Sequence, residues 1–159
     1  MFSNASTAAF ALLLFSAPAR AESPPPPAIV VADFDYTDSS GETRDQQIEH
    51  AARLPAFARA IRADLANSGK YRVIDFVCSS DPCSAAKAPT LVDDARKAGA
   101  KLVLYGGIHK MSTLIQNGKF QMLDLDDGKL VLDRLISFRG DSDEAWQHAE
   151  RFLTRELLQ

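Results

Sequence analysis

Apolar and polar positions change period several times along the chain, and each change marks an element. Residues 28–36 open with an apolar run and end with Asp alternating with aromatic residues, which predicts a strand. Residues 37–47 are polar, carry Gly41 and read as a loop. Residues 48–68 form a helical region in which Phe57, Ile61 and Leu65 lie four apart on one face. Pro55 is costly inside a helix but suits a first turn, so the main helix is expected to start there, with Gly69 ending it. A second strand is predicted over 71–77, then a loop over 78–89. A short helix over 90–98 follows, with Thr90 as N-cap and Gly99 after its end.

The next apolar run, Leu102 to Tyr105, belongs to a third strand over 101–110. Residues 111–125 and 129–139 read as two longer strands. Asp126-Asp127-Gly128 joins them as a hairpin turn, because glycine accepts the positive φ such a turn needs. Asn117-Gly118 reads as a bulge or a second turn, and Gly106-Gly107 as a place of close packing or a bulge. Trp146, Ala149, Leu153 and Leu157 form the apolar stripe of a last helix over 143–158, which Ser142 can cap. The order strand, helix, strand, helix, three strands, helix predicts one α/β domain. Its five-stranded sheet should be mixed, parallel at the crossovers and antiparallel in the final meander.

Composition adds little to the fold and more to the compartment. The chain has 159 residues, 46% hydrophobic and 25% charged, with a net charge of −3. That fits one soluble domain and excludes a disordered chain or a polytopic membrane protein. It lacks the basic excess of a nucleic-acid binder. Residues 10–15 read Phe-Ala-Leu-Leu-Leu-Phe, far short of the roughly 20 residues that span a bilayer. Ala19-Arg20-Ala21 follows with small residues where a signal peptidase reads. Residues 1–21 are therefore expected to be a secretory signal peptide, giving a periplasmic protein with no transmembrane segment after cleavage. No Lys or Arg precedes the apolar run, and the alternative is an uncleaved anchor. Pro24 to Pro27 place a stiff spacer at 22–27, ahead of a single domain over 28–159.

Several stretches together carry a resemblance. They are Val31-Ala-Asp-Phe-Asp35, Leu65-Ala-Asn-Ser-Gly69 running into Tyr71-Arg-Val-Ile-Asp75, and Ala98 to Gly106. Lys110-Met-Ser112 and Phe138-Arg-Gly-Asp-Ser-Asp-Glu-Ala-Trp146 complete them. The chain resembles a bacterial family of predicted periplasmic proteins of unknown function. That family in turn looks like the amino-terminal domain of TolB and the related CsgG-type envelope domains. The resemblance covers nearly all of the chain after residue 21 and implies a fold and a compartment, not an activity. Members often carry a close Cys pair before the second helix; here the pair has four residues between its members.

That pair, Cys78 and Cys83, is expected to form a structural disulfide in an oxidising compartment, contributing roughly 2 kcal/mol. A redox-active pair is the alternative, but catalytic pairs typically have two intervening residues. Asp124-Leu-Asp-Asp-Gly128 matches only part of a calcium loop, and a hairpin explains it. Asp33 and Asp35 alternate along the first strand, so they are expected to share a face near its carboxyl end, where α/β sheets often bind ligands. His109 stands at a strand end, where catalytic groups can sit. No motif assembles a catalytic centre, and no cofactor or metal is expected. The functional expectation is a non-catalytic periplasmic protein that binds another envelope protein near Arg139, Asp143 and Glu144. A small-molecule or metal-binding module using Asp33 and Asp35 is one rival. A hydrolase or redox enzyme is the other.

Overall fold

The computed structural model describes residues 23–159. The signal-peptide reading of residues 1–21 lies outside them. Ser23 to Pro27 carries no regular secondary structure and leads into strand β1 (Ala28–Val31). Next come β2 (Asp35–Asp38), α1 (Gln47–Asn67) and β3 (Arg72–Val73). A 3-10 turn (Ala85–Lys87) then runs straight into α2 (Ala88–Lys97). The chain finishes with β4 (Leu102–Lys110), β5 (Ile115–Asp124), β6 (Leu130–Arg139) and α3 (Asp143–Leu157).

The sheet runs in the order β3-β1-β4-β5-β6, and β2 pairs with the far half of β4. Pairs among β1, β2, β3 and β4 are parallel, and β4-β5-β6 is an antiparallel meander. The fold is thus the α/β domain with a mixed sheet that the pattern predicts. Helices α1 and α3 pack on one face, over Ile29, Val31, Leu104, Ile108, Phe120 and Ile136. Helix α2 covers a smaller cluster on the other face around Val30, Ala32 and Val103.

Three local expectations are corrected. The predicted first strand is two strands in one line. Val31 sits opposite Leu104 but Asp35 sits opposite Gly107, so this strand uses one residue more than β4 across the gap. That extra residue shifts the alternation: Ile29 and Val31 face α1 and α3, and so do Phe34 and Tyr36. The sheet therefore counts six strands rather than five. Second, α1 does not begin at Pro55 but eight residues sooner, at Gln47, with Pro55 inside it. The proline and Ala51, whose carbonyl loses its partner, both lie on the exposed side, where water replaces the lost bond. Third, the second strand shrinks to two residues, since 74–77 leave the sheet for the cysteine loop after the bond from the Ile74 amide to the Ile29 carbonyl. Helix α2 also begins two residues before Thr90, and Ser84 caps the 3-10 turn ahead of it.

The hairpin at Asp126-Asp127-Gly128 forms as expected, with Gly128 at φ +72°. Gly118 lies in the regular ladder between Ile108 and Ile136, so it is neither bulge nor turn. A side chain on it would strike the Phe120 ring. Gly106 and Gly107 permit close packing: a Cβ on Gly106 would collide with the Lys119 carbonyl, and one on Gly107 would lie 2.8 Å from that of Asp35.

Candidate functional site

A cluster of polar groups gathers where the carboxyl end of β4 meets the starts of α1 and α3. Lys110, the last residue of β4, is fully buried. Strand alternation puts it on the face of Leu104 and Ile108, under the loop that follows β2. Its ammonium donates to Asp141 at 2.8 Å, to Glu42 at 2.6 Å and to the side-chain oxygen of Gln46. A buried ammonium is costly unless fully partnered, and these acceptors supply the partners.

Asp141 is the hub. It follows Gly140, whose φ of +92° turns the chain out of β6 and whose amide is fixed to the Leu114 carbonyl. The Asp141 carboxylate, only 7% exposed, also meets His50 at 2.8 Å and Arg53 at 2.9 Å. Trp146 Nε1 donates to it at 3.3 Å and Gln116 Nε2 at 3.2 Å. Burial alone would raise the pKa of this carboxyl, but the Lys110 and His50 bonds outweigh it and hold it at about 2. Burial opposes the charge on Lys110 too, yet Asp141 and Glu42 raise its pKa above the usual lysine value. Tyr36 bonds His50 at 3.1 Å, and burial followed by the nearby Asp141 charge pushes its phenol well above the ordinary range. The Tyr36, His50 and Trp146 rings pack together over the cluster.

Chemically, the cluster is internally paired. Its ammonium, carboxylates and imidazole are bonded to one another, so the arrangement ties four segments together, and its outer side, at Tyr36, Glu42 and His50, lines an open polar cavity of about 580 Å³. Beside it, α1 and α3 bound an open groove of about 660 Å³, lined by Ile48, Ala52, Ala56, Phe57 and Trp146. Arg53 spans the boundary, bonded to Asp141 inside and to Asp143 at 2.7 Å on the rim.

The residues singled out in the sequence are scattered over the fold. Asp143 and Glu144 form the first turn of α3 beside this groove, where Ser142 caps the helix by accepting from the Ala145 amide. A bond from its own backbone and one from Ser142 lower the pKa of Glu144. Arg139, at the end of β6, is exposed and has no ion-pair partner among the described residues.

Asp33 and Asp35 do not share a face, because the strand break lies between them. Asp33 turns to Arg62 of α1 at 3.4 Å, whereas Asp35 accepts from Ser84 at 2.6 Å on the side of α2. Asp33 and Arg62 line a crevice of about 460 Å³ with the loop of Cys78 and Cys83. The two sulfurs of that loop lie at disulfide distance, with Cα atoms 5.6 Å apart. His109 bonds Ser39 at 2.6 Å on the surface. No group of three or more His, Cys, Asp or Glu placed to hold a metal ion occurs among the described residues.

Pattern reading missed Glu42, His50 and Gln46, and it passed over Lys110 and Asp141 inside segments it had quoted. One signal was present: a lysine in phase with Leu104 and Ile108 on an apolar strand needs a buried anion. Nothing in the sequence says which carboxylate answers it.

The family described as "Protein of unknown function (DUF2380)", DUF3280, matches residues 27–158. The chain belongs to this family. That agrees with the resemblance carried by the sequence. No curated protein matches the chain. Among solved structures it is similar to the C-terminal domain of LpoB from Salmonella enterica. That match has 14% identity and a TM-score of 0.53, over 70% of this chain and 81% of that one. This likeness is one of fold. TolB from Acinetobacter baumannii is similar at 16% identity and a TM-score of 0.48, over 81% of this chain and 26% of that one. Lipoprotein GNA1162 from Neisseria meningitidis is similar at 16% identity and a TM-score of 0.47, over 84% of this chain and 94% of that one. No helix among the described residues is long and apolar enough to cross a membrane.

Proposed function

We propose that this chain is a secreted, non-catalytic periplasmic protein that binds another protein of the cell envelope through the surface around Arg139, Asp143 and Glu144. The observation that carries the reading is the contrast across Arg53. Inside it, the charges of Lys110, Asp141 and His50 are bonded to one another. Outside it lies an open apolar groove rimmed by Asp143. A buried network of this kind fixes the start of α3 in one geometry, which suits a rigid recognition surface. The compartment reading is supported by the apolar run at 10–15 with Ala19-Arg20-Ala21, and by a cysteine pair at disulfide distance.

The test is affinity capture from a periplasmic extract with the wild type and with Asp143→Lys/Glu144→Lys. The reading expects a specific protein that the wild type recovers and the variant loses, with both proteins folded by circular dichroism at the temperature of capture, since the variant also gives up the Arg53–Asp143 bond. Equal recovery by both would reject this surface.

A second reading rests on the crevice at the carboxyl end of β1. The connections leave β1 for β3 on one side and reach β4 on the other, over opposite faces of the sheet, which is where open α/β sheets receive ligands. A small-molecule site there would use Asp33 and Arg62. A thermal-shift screen of metabolites and metal ions, compared with Asp33→Ala, separates the two readings.

A further inference from the structure

Strand β6 ends the sheet, and its outer edge pairs with no strand among the described residues. A free edge offers unpaired N–H and C=O groups from alternate residues, and only another extended backbone satisfies them as a row. Natural edges are usually blunted by charged side chains, lysine above all, by proline or by a bulge. From Asp133 to Arg139 this one has no lysine, proline or bulge, and its charges, Asp133, Arg134 and Arg139, are of both signs, so one register can pair them. Its single irregularity lies earlier, where Met122 faces Leu132 but Leu123 faces Leu130. On the face away from α3, this stretch presents Asp133, Leu135, Ser137 and Arg139. Leu135 is 69% exposed, and no helix packs over it.

We propose that β6 pairs antiparallel with β6 of a second copy, about a twofold axis through Ile136, to give one continuous sheet. Antiparallel partners share a face, so a symmetric pairing must set odd positions against odd and even against even. Among those registers only the one centred on Ile136 sets Asp133 opposite Arg139 of the other copy, and symmetry makes the ion pair twice. It gives Arg139 the anion it lacks among the described residues of its own chain. Asp133, already beside Lys119 of β5, becomes a bridge between Lys119 and the second copy's Arg139. Leu135 falls opposite Ser137, and the two copies of Leu135 become diagonal neighbours within side-chain reach. The seven residues from Asp133 to Arg139 carry the pairing, so the interface is small and the dimer is expected to dissociate in the micromolar range.

The experiment is sedimentation equilibrium of the purified exported protein over a concentration series. The wild type is expected to pass from monomer to dimer. Arg139→Glu sets Glu against Asp133, and Asp133→Arg sets Arg against Arg139. Each variant alone should weaken the dimer at least tenfold with an unchanged circular dichroism spectrum; Asp133→Arg also loses its own Lys119 pair, so it is measured at a temperature well below its melting point. Mixing the two variants restores opposite charge at both positions, and the mixture should dimerise as the wild type does. Should either variant fail to fold, Leu135→Lys replaces it as the dimer-breaking variant, and loss of the dimer is then the deciding result. A wild type that stays monomeric, single variants that dimerise normally, or a mixture that stays monomeric would each overturn the proposal. The pairing shares Arg139 with the proposed partner surface, so partner capture is tested at Asp143 and Glu144, which lie outside β6, and the dimer through the Asp133→Arg and Leu135→Lys variants as well, so that either proposal can fail alone.

Discussion

The ammonium of Lys110 lies 2.8 Å from the carboxylate of Asp141, one closing β4 and the other opening the turn into α3, and both are shielded from solvent. The pair joins the end of the parallel part of the sheet to the helix that caps the meander. Asp141→Asn would leave Lys110 with the Glu42 carboxylate, the Gln46 oxygen and the more distant Asp38, and would strip His50 and Arg53 of their buried anion. The expected loss is about 3–5 kcal/mol, the usual cost of removing one partner from a buried ion pair. Urea unfolding of the two proteins measures it.

Acid should expose the same pair. The Asp141 carboxyl titrates near 2 in the folded chain, against an ordinary value of 3.8. A depressed carboxyl contributes stability that is fully present above its unfolded pKa and is lost as pH falls through its folded one. The contribution is about 2 kcal/mol, disappearing between roughly pH 4 and pH 2. Melting temperatures across that window should fall for the wild type. They should fall less for Asp141→Asn, which has already lost the charge.

Trp146 fills the space between α3 and the sheet and is nearly buried, with Phe57 and Phe138 against it edge-on. Trp146→Ala should cost about 3–5 kcal/mol. The effect should appear as a lower denaturation midpoint. A variant as stable as the wild type would show that the ring does not hold α3 in place.

The cysteine loop gives a covalent readout. Non-reducing peptide mapping of protein taken from the periplasm should find Cys78 linked to Cys83. The same sample should begin at Glu22, as cleavage after Ala21 requires. Two free thiols, or an intact Met1, would contradict the respective expectation.

A backbone test is available at Gly106. A methyl group there would run into the Lys119 carbonyl of the adjacent strand. Gly106→Ala should therefore destabilise the β4–β5 pair by more than the usual 1 kcal/mol of a point mutation, whereas Gly41→Ala meets nothing. Comparing the two separates collision from backbone preference.

The elements were legible because their periods were clean. The stripe of Trp146, Ala149, Leu153 and Leu157 is buried as read, and the Asp-Gly turn lies where expected. Boundaries failed where tertiary context overrode a local rule. Pro55 is tolerated because its side of α1 is wet, and strand 71–77 stops early because the cysteine loop draws the chain away. The candidate site was far less legible. Glu42, His50, Lys110 and Asp141 come from four segments, and no local spacing relates them. Asp33 and Asp35 were placed on one face because alternation was extended through a break that only the pairing with β4 reveals.

That break has a consequence of its own. Across it the chain carries one surplus residue of slack, and the slack is pinned by the bond from the Asp33 amide to the Cys83 carbonyl. A strand without it would run flush along β4 and keep Phe34 and Tyr36 facing inward, since deleting one position restores an even count. Shortening the chain at Asp33 should thus disturb the core less than shortening it at Val30. What it would loosen is the cysteine loop, which would lose the amide of the residue that the strand does not need and keep, at this point, the bond from Ser84 to Asp35.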